Sequence, residues 1–191
     1  MSSNSNPVSS FNWNLKSKYR EEIIPSLMKE FNFTTPMQVP RLQKIVVNIG
    51  CGDGAKEKLY IESSFKELEL VVAQKPVITK AKSSISEFKL REGQPVGIKA
   101  TLRNDRMWSF LEKLFKVALP RVRDFKGISK SSVDKQGNLN IGLKEQIIFT
   151  ELNYDKVKKL RGMNITFVTS LKNREASISL FAQLGCPFSK T

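Results

Sequence analysis

Three glycines at alternate positions, Gly50, Gly52 and Gly54, close the stretch "KIVVNIGCGDG" and lead into a helix-like segment. Glycines so placed let a backbone turn tightly and approach a phosphate or cofactor, with Asp53 near the helix start. Glu145, Glu151 and Asp155 are a second candidate, as paired carboxylates for acid–base work. They sit among basic residues, where ordinary surface ion pairing accounts for them. Other chemistry is ruled out by residue type. The chain has no histidine, which removes histidine triads, general acids and metal ligands. Cys51 and Cys186 stand far apart without a C-x-x-C, so thiolates assemble no zinc site, and two such cysteines suit a reduced compartment. No P-loop, nucleophile elbow or metal cluster is present.

Whether the glycines hold a ligand depends on the elements around them. Leu15, Tyr19, Ile23 and Leu27 lie four apart, which predicts a helix over 14–33 that kinks at Pro25. "PMQVPRL" reads as an extended connector. In 44–49, Ile45, Val47 and Ile49 share one strand face while Lys44 and Asn48 point the other way. A second helix over 55–73 carries the stripe Ile61, Phe65, Leu68 and Val72. "FKLR" and "GIKATLR" alternate as strands, setting Phe88, Leu90, Ile98, Ala100 and Leu102 against Lys89, Arg91, Lys99, Thr101 and Arg103. A helix over 104–119, started by an Asn104 cap, turns Met107, Leu111, Leu114 and Ala118 inward, with Trp108 and Phe115 widening that face. Residues 121–140 form a long basic connection, of a length that is usually functional or mobile. "LNIGLKEQIIF" and "MNITFVTSL" read as strands, and Ala176, Leu180 and Leu184 mark a last helix. The clustering of strands predicts an α+β fold, with helices packed on one face of a mostly antiparallel sheet and the other face open.

Charge indicates the partner. There are 32 Lys+Arg against 18 Asp+Glu, a net +14, and such an excess concentrates polyanions, of which nucleic acid is the commonest. An anionic membrane surface is the lesser possibility, and no apolar run reaches spanning length. Residues 74–103 alone hold seven basic and two acidic side chains. Cations on the non-core sides of strands are well explained by a polyanion lying across the sheet. The polar, unpatterned residues 1–13 read as a disordered extension and 14–191 as a single domain.

Two family resemblances follow. "NIGCGDG" looks like the first motif of S-adenosylmethionine-dependent methyltransferases, which implies strands alternating with helices and a ligand at the ends of parallel strands. The alternation fails over 76–103, and Asn48 stands where that motif places an acidic residue. The glycines then read as a strand-to-helix turn, and no cofactor is expected; the enzyme is the alternative.

The segment "QKPVITKAKSSISEFKLREGQPVGIKATLR" strongly resembles the family of bacterial-type large-subunit ribosomal protein five. The likeness continues through "MQVPRLQKIVVNIGCGDG", "DRMWSFLEKL", "LPRVRDFKGIS", "GNLNIGLKEQIIF" and "RGMNITFVT", from about residue 15 to 188 in order. It implies a non-catalytic protein whose open sheet face grips 5S rRNA in the central protuberance. Asn48, Gln74 and Thr101 match the polar residues implicated there, with Lys75, Lys99 and Arg103 beside them. The family's long loop implies contact with P-site tRNA through Lys80, Lys82, Ser83, Ser84, Lys89 and Arg91. The connection at 120–140, with Arg121, Arg123, Lys126 and Lys130, implies contact with large-subunit rRNA and the small-subunit head. Neighbouring ribosomal proteins of the central protuberance are further implied partners, and no membrane is. If six or more phosphates are engaged, affinity falls about 10³-fold or more between 50 and 200 mM salt. Ala73 departs from the family's usual glycine, Glu87 from a small or neutral residue, and Lys144 from a frequent arginine. Lysine outnumbers arginine 23 to 9, and with the polar extension and the "LGCPF" ending this points to a plastid ribosome, with a bacterial or mitochondrial one also open.

Overall fold

The computed structural model describes residues 14–52, 58–123, 125–154 and 157–189. Residues 1–13, Asp53, Gly54 and Asp155 lie outside them. Five strands, β1 (Leu42–Gly50), β2 (Val77–Lys80), β3 (Pro95–Leu102), β4 (Leu139–Leu143) and β5 (Met163–Thr169), form one sheet in the order β2-β3-β1-β5-β4. Every pairing in it is antiparallel. The helices are α1 (Asn14–Lys18), α2 (Ile24–Glu30), α3 (Lys58–Val72), α4 (Asn104–Lys113) and α5 (Arg174–Gln183).

One face of the sheet is the core. Ile45, Val47 and Ile49 of β1 are buried with Ile98, Ala100 and Leu102 of β3, Ile165 and Phe167 of β5, and Leu139 and Ile141 of β4. The period-2 alternation that puts them on one side puts every second residue on the other. The helices close the core side. Phe115, just after α4, meets Phe167 at 5.8 Å between ring centroids, and Phe181 of α5 meets the same ring edge-on at 6.0 Å. Trp108 is buried and packs against Tyr19 at 5.4 Å, a structural role.

Local chemistry explains where elements start and bend. A π-helical turn at Tyr19–Ile23 separates α1 from α2, whose first turn holds Pro25. Widening the helix there accommodates the proline's missing N–H, so the expected kink takes the form of a π-bulge. Asn173 caps α5, its side-chain oxygen accepting from the N–H groups of Glu175 and Ala176.

Four expectations change. Arg103, not Asn104, holds the cap position of α4 with no side-chain bond, and Asn104 itself has φ +53°. "FKLR" is a turn rather than a strand: Lys89 has φ +51°, and only Ile85 and Leu90 form a bridge across it. "LNIGLKEQIIF" keeps its strand only to Leu143 and continues as a 3-10 turn, Gln146–Ile148. The connection at 121–140 is anchored, because Ile128 bridges Phe188, Val133 bridges Leu139, and both Ile128 and Val133 are buried.

Candidate nucleic-acid interface

The face without helices is built in rows by strand register. One row runs Val77, Lys99, Asn48, Asn164, Gly142 across all five strands. All five residues are exposed. The next row runs Thr101, Val46, Thr166, Asn140. Gly50 and Gly97 pair at one end, with Thr79 beyond them. A Cβ on Gly97 would lie 2.8 Å from the Ile49 carbonyl oxygen, so only glycine lets β3 lie this close to β1. Among the described residues, neither Asn48 nor Asn164 spends its side-chain amide on a partner within the chain. Each therefore offers two N–H donors and a carbonyl acceptor to a ligand.

Gln74 follows α3 and is half-buried. Its Nε2 donates to the Thr101 backbone oxygen at 3.1 Å, and its Oε1 accepts from Arg106 at 3.4 Å. The amide thus caps a sheet carbonyl beyond the end of the β2–β3 ladder and fixes the edge that presents Thr101. It keeps one N–H free.

The cations divide by position. Lys99 stands within the open face, while Lys44 shares that face at its half-buried end, and exposed Lys75 and Arg103 flank it. Lys80 ends β2, past a register shift after Thr79. Lys82, Ser83, Ser84, Lys89 and Arg91 belong to a separate loop between β2 and β3. This loop is ordered by its own bonds: the Glu92 N–H donates to Ser84 Oγ at 2.9 Å, the Arg91 N–H to Gln94 Oε1 at 2.9 Å, and Gly93 N–H to the Ala81 oxygen at 3.0 Å. Its tip exposes Phe88 at 72%, an aromatic that strand alternation had assigned inward. Arg121, Arg123, Lys126 and Lys130 are exposed on the connection before β4. Arg123 and Lys126 line a groove of about 330 Å³ with Lys144, alongside Asn140 and Gly142.

The face residues missed from sequence are Asn140, Gly142, Asn164 and Thr166. Their signal was present, since "LNIGL" and "MNITFVT" put a polar residue or glycine at every second position. The catalytic candidates fare differently. Glu151 pairs with Lys113 at 2.6 Å, the expected salt bridge, and Glu145 is exposed. Gly50 lies in β1, which has antiparallel neighbours on both sides, so the parallel-strand crevice of a methyltransferase is not built here. Gly50 instead receives the Arg161 guanidinium, whose Nη1 donates to its carbonyl oxygen at 3.3 Å. Cys51 and Cys186 are both buried and form no disulfide, and burial pushes the Cys186 thiol up to about 12. No described helix is long and apolar enough to cross a membrane.

An antiparallel sheet with helices on one side, and unspent amides, hydroxyls and flanking cations on the other, defines a binding platform. Comparison with known proteins gives that platform a family. Residues 35–91 match the family model "Ribosomal protein L5", and residues 95–188 match the model of the same ribosomal family's C-terminus. The protein called large ribosomal subunit protein uL5 in Brevibacillus brevis is 52% identical over 176 residues, covering 92% of this chain and 98% of the relative. Those of the same name in Oceanobacillus iheyensis (53% over 176 residues, 92% and 98%) and Malacoplasma penetrans (52% over 177 residues, 93% and 95%) are similarly close. The chain belongs to the ribosomal protein L5 family. Membership in this family of structural, non-enzymatic proteins decides against the methyltransferase.

Proposed function

We propose that this chain is a structural component of the large ribosomal subunit whose open face holds 5S rRNA in the central protuberance. The observation that carries this is the placement of Asn48 and Thr101 on that face, on hydrogen-bonded neighbours β1 and β3, with Gln74 tied to the Thr101 carbonyl. Asn48 and Thr101 supply directed hydrogen bonds to sugar or base edges; Lys75, Lys99 and Arg103 supply phosphate contacts. The loop around Lys80, Lys82, Ser83, Ser84, Lys89 and Arg91 reaches P-site tRNA. Arg121, Arg123, Lys126 and Lys130 face large-subunit rRNA and the small-subunit head. Residues 14–191 act as one unit, a reading supported by the central place of β1, from the first family segment, between β3 and β5 of the second.

Plastid stroma is the finer location we propose, on the lysine bias and the "LGCPF" ending. The three relatives above are bacterial, so bacterial cytoplasm is the competing site, and immunolocalisation separates them.

Filter binding to 5S rRNA tests the central claim. Asn48→Ala and Thr101→Ala each weaken affinity about tenfold, the equivalent of one lost directed hydrogen bond. Lys66→Ala, on the exposed side of α3, leaves it within twofold. Equal losses for all three would overturn the face assignment.

A further inference from the structure

We infer that Arg106 is a positioning residue, which acts through Gln74 by fixing which end of the Gln74 amide meets the edge of the sheet. This rests on the 5S rRNA proposal and adds a residue that the family resemblance did not imply. The edge needs such a device because its ladder stops early. Val77 pairs with Lys99, so residue 75 would fall opposite Thr101, but β2 begins only at Val77, and Pro76 before it has no N–H to give. The Gln74 side chain stands in for that missing donor, its Nε2 donating to the Thr101 backbone oxygen at 3.1 Å. A primary amide can also turn over, and its oxygen would then face that carbonyl, acceptor against acceptor. Arg106 selects between the two orientations. Its Nη1 donates to Gln74 Oε1 at 3.4 Å, which holds that oxygen away from the Thr101 carbonyl and leaves one Nε2 N–H unspent beside Thr101.

Two further observations suit Arg106 to this role. Among the described residues no carboxylate pairs with it, and the acid next to it in the chain, Asp105, is taken by Lys16 at 2.6 Å. The guanidinium is therefore left to the Gln74 oxygen, and its charge strengthens that bond. The backbone shows how it gets there. β3 ends at Leu102 and α4 begins at Asn104, whose φ of +53° lies in the left-handed region, which asparagine tolerates better than other residues with a side chain. Such a residue persists where the surrounding structure demands its geometry. Here it bends the chain sharply between β3 and α4, and the first turn of α4 brings Arg106 to the corner between α3 and β2 where Gln74 stands.

A double-mutant cycle on the full chain, read by filter binding to 5S rRNA, tests this. Arg106 is exposed, so Arg106→Ala leaves the fold intact, and an unchanged thermal unfolding curve checks it. Gln74→Ala weakens affinity about tenfold and Arg106→Ala about fivefold, while the double variant is no weaker than Gln74→Ala to within about twofold. The slope of log affinity against log salt stays at its wild-type value in Arg106→Ala, and Arg106→Lys, which keeps a donor, restores binding to within about twofold of wild type. A spectroscopic signature accompanies the loss. In the NMR spectrum of the free protein the Gln74 side-chain N–H pair, assigned by its absence from Gln74→Ala, shifts towards the solvent-exposed position in Arg106→Ala, and the Asn48 pair does not. A slope reduced by about 0.7 or more in Arg106→Ala, or a loss that adds in full to that of Gln74→Ala, would make Arg106 a phosphate contact in its own right and overturn the positioning role. An unmoved Gln74 signal overturns it as well. Wild-type affinity in Arg106→Ala or Gln74→Ala, alongside weakened Asn48→Ala, overturns this inference and leaves the 5S rRNA proposal standing. Wild-type affinity in Asn48→Ala, Thr101→Ala and Gln74→Ala alike overturns the parent proposal.

Discussion

Asn48 shows how one side chain changes meaning with its surroundings. In the glycine motif it was a missing acid; on the sheet it is an exposed amide with unspent hydrogen-bonding groups, opposite Lys99 on one side and Asn164 on the other. The sequence already placed it on the non-core face by alternation, and only the register supplied its neighbours. Gln74 was legible as polar and near the site, but not as a residue whose amide caps the Thr101 carbonyl. Cys186 gives a prediction at this scale. Its native thiol keeps its proton up to about 12, against an ordinary value of 9.0, because burial disfavours the thiolate. Between those values the native state binds more protons than the unfolded state. Stability contributed by this group is therefore complete below about pH 9 and is lost as pH rises towards 12, by at most ~1.4 kcal/mol per pH unit. Urea unfolding from pH 8.5 to 11 will show a steeper fall for wild type than for Cys186→Ala. Parallel curves would refute it.

At the scale of elements, the stripes of α3, α4 and α5 and the alternation of β1 and β3 were readable because each repeats the period of its structure. Boundaries and short elements were not. "FKLR" alternates over only four residues, and its register is set by the Ile85–Leu90 bridge and the positive φ of Lys89, which alternation cannot report. The end of α3 shows what tertiary context forces on one residue. Ala73 follows the helix with φ +50°, the left-handed conformation that a glycine adopts without cost and a Cβ resists. The glycine that the family resemblance implies at this position would suit this backbone. Ala73→Gly should stabilise the protein by about 1 kcal/mol, raising Tm by about 2–4 °C. A lower or unchanged Tm in calorimetry would show that the strain is relieved some other way.

For the whole molecule, the net charge of +14 indicated a polyanion, but the fold decides where each cation works. Seven basic side chains in 74–103 looked like one platform. The structure leaves Lys99 within the face and Lys75 and Arg103 flanking it, with Lys44 joining from β1, and assigns Lys82, Lys89 and Arg91 to the loop. If Lys44 joins Lys75, Lys99 and Arg103 in meeting a phosphate, the slope on the log–log salt plot is near −3, and 5S rRNA affinity should fall about 10²-fold between 50 and 200 mM salt rather than 10³-fold. Binding titrations across that range decide it. A flat response would remove the phosphate contacts, and a loss beyond 10⁴-fold would bring the loop and the 121–140 connection onto the same RNA.

The sequence by itself determined the charge, the exclusion of histidine chemistry, the α+β class and which side of β1 and β3 faces out. These follow from composition and from periods local to each segment. Only the tertiary structure decided that β5 and β4 extend the polar face beyond Asn48, that Gln74 secures the edge presenting Thr101, and that the loop cations stand apart from the sheet. Those facts depend on pairing between residues tens of positions apart, and no local period encodes a register.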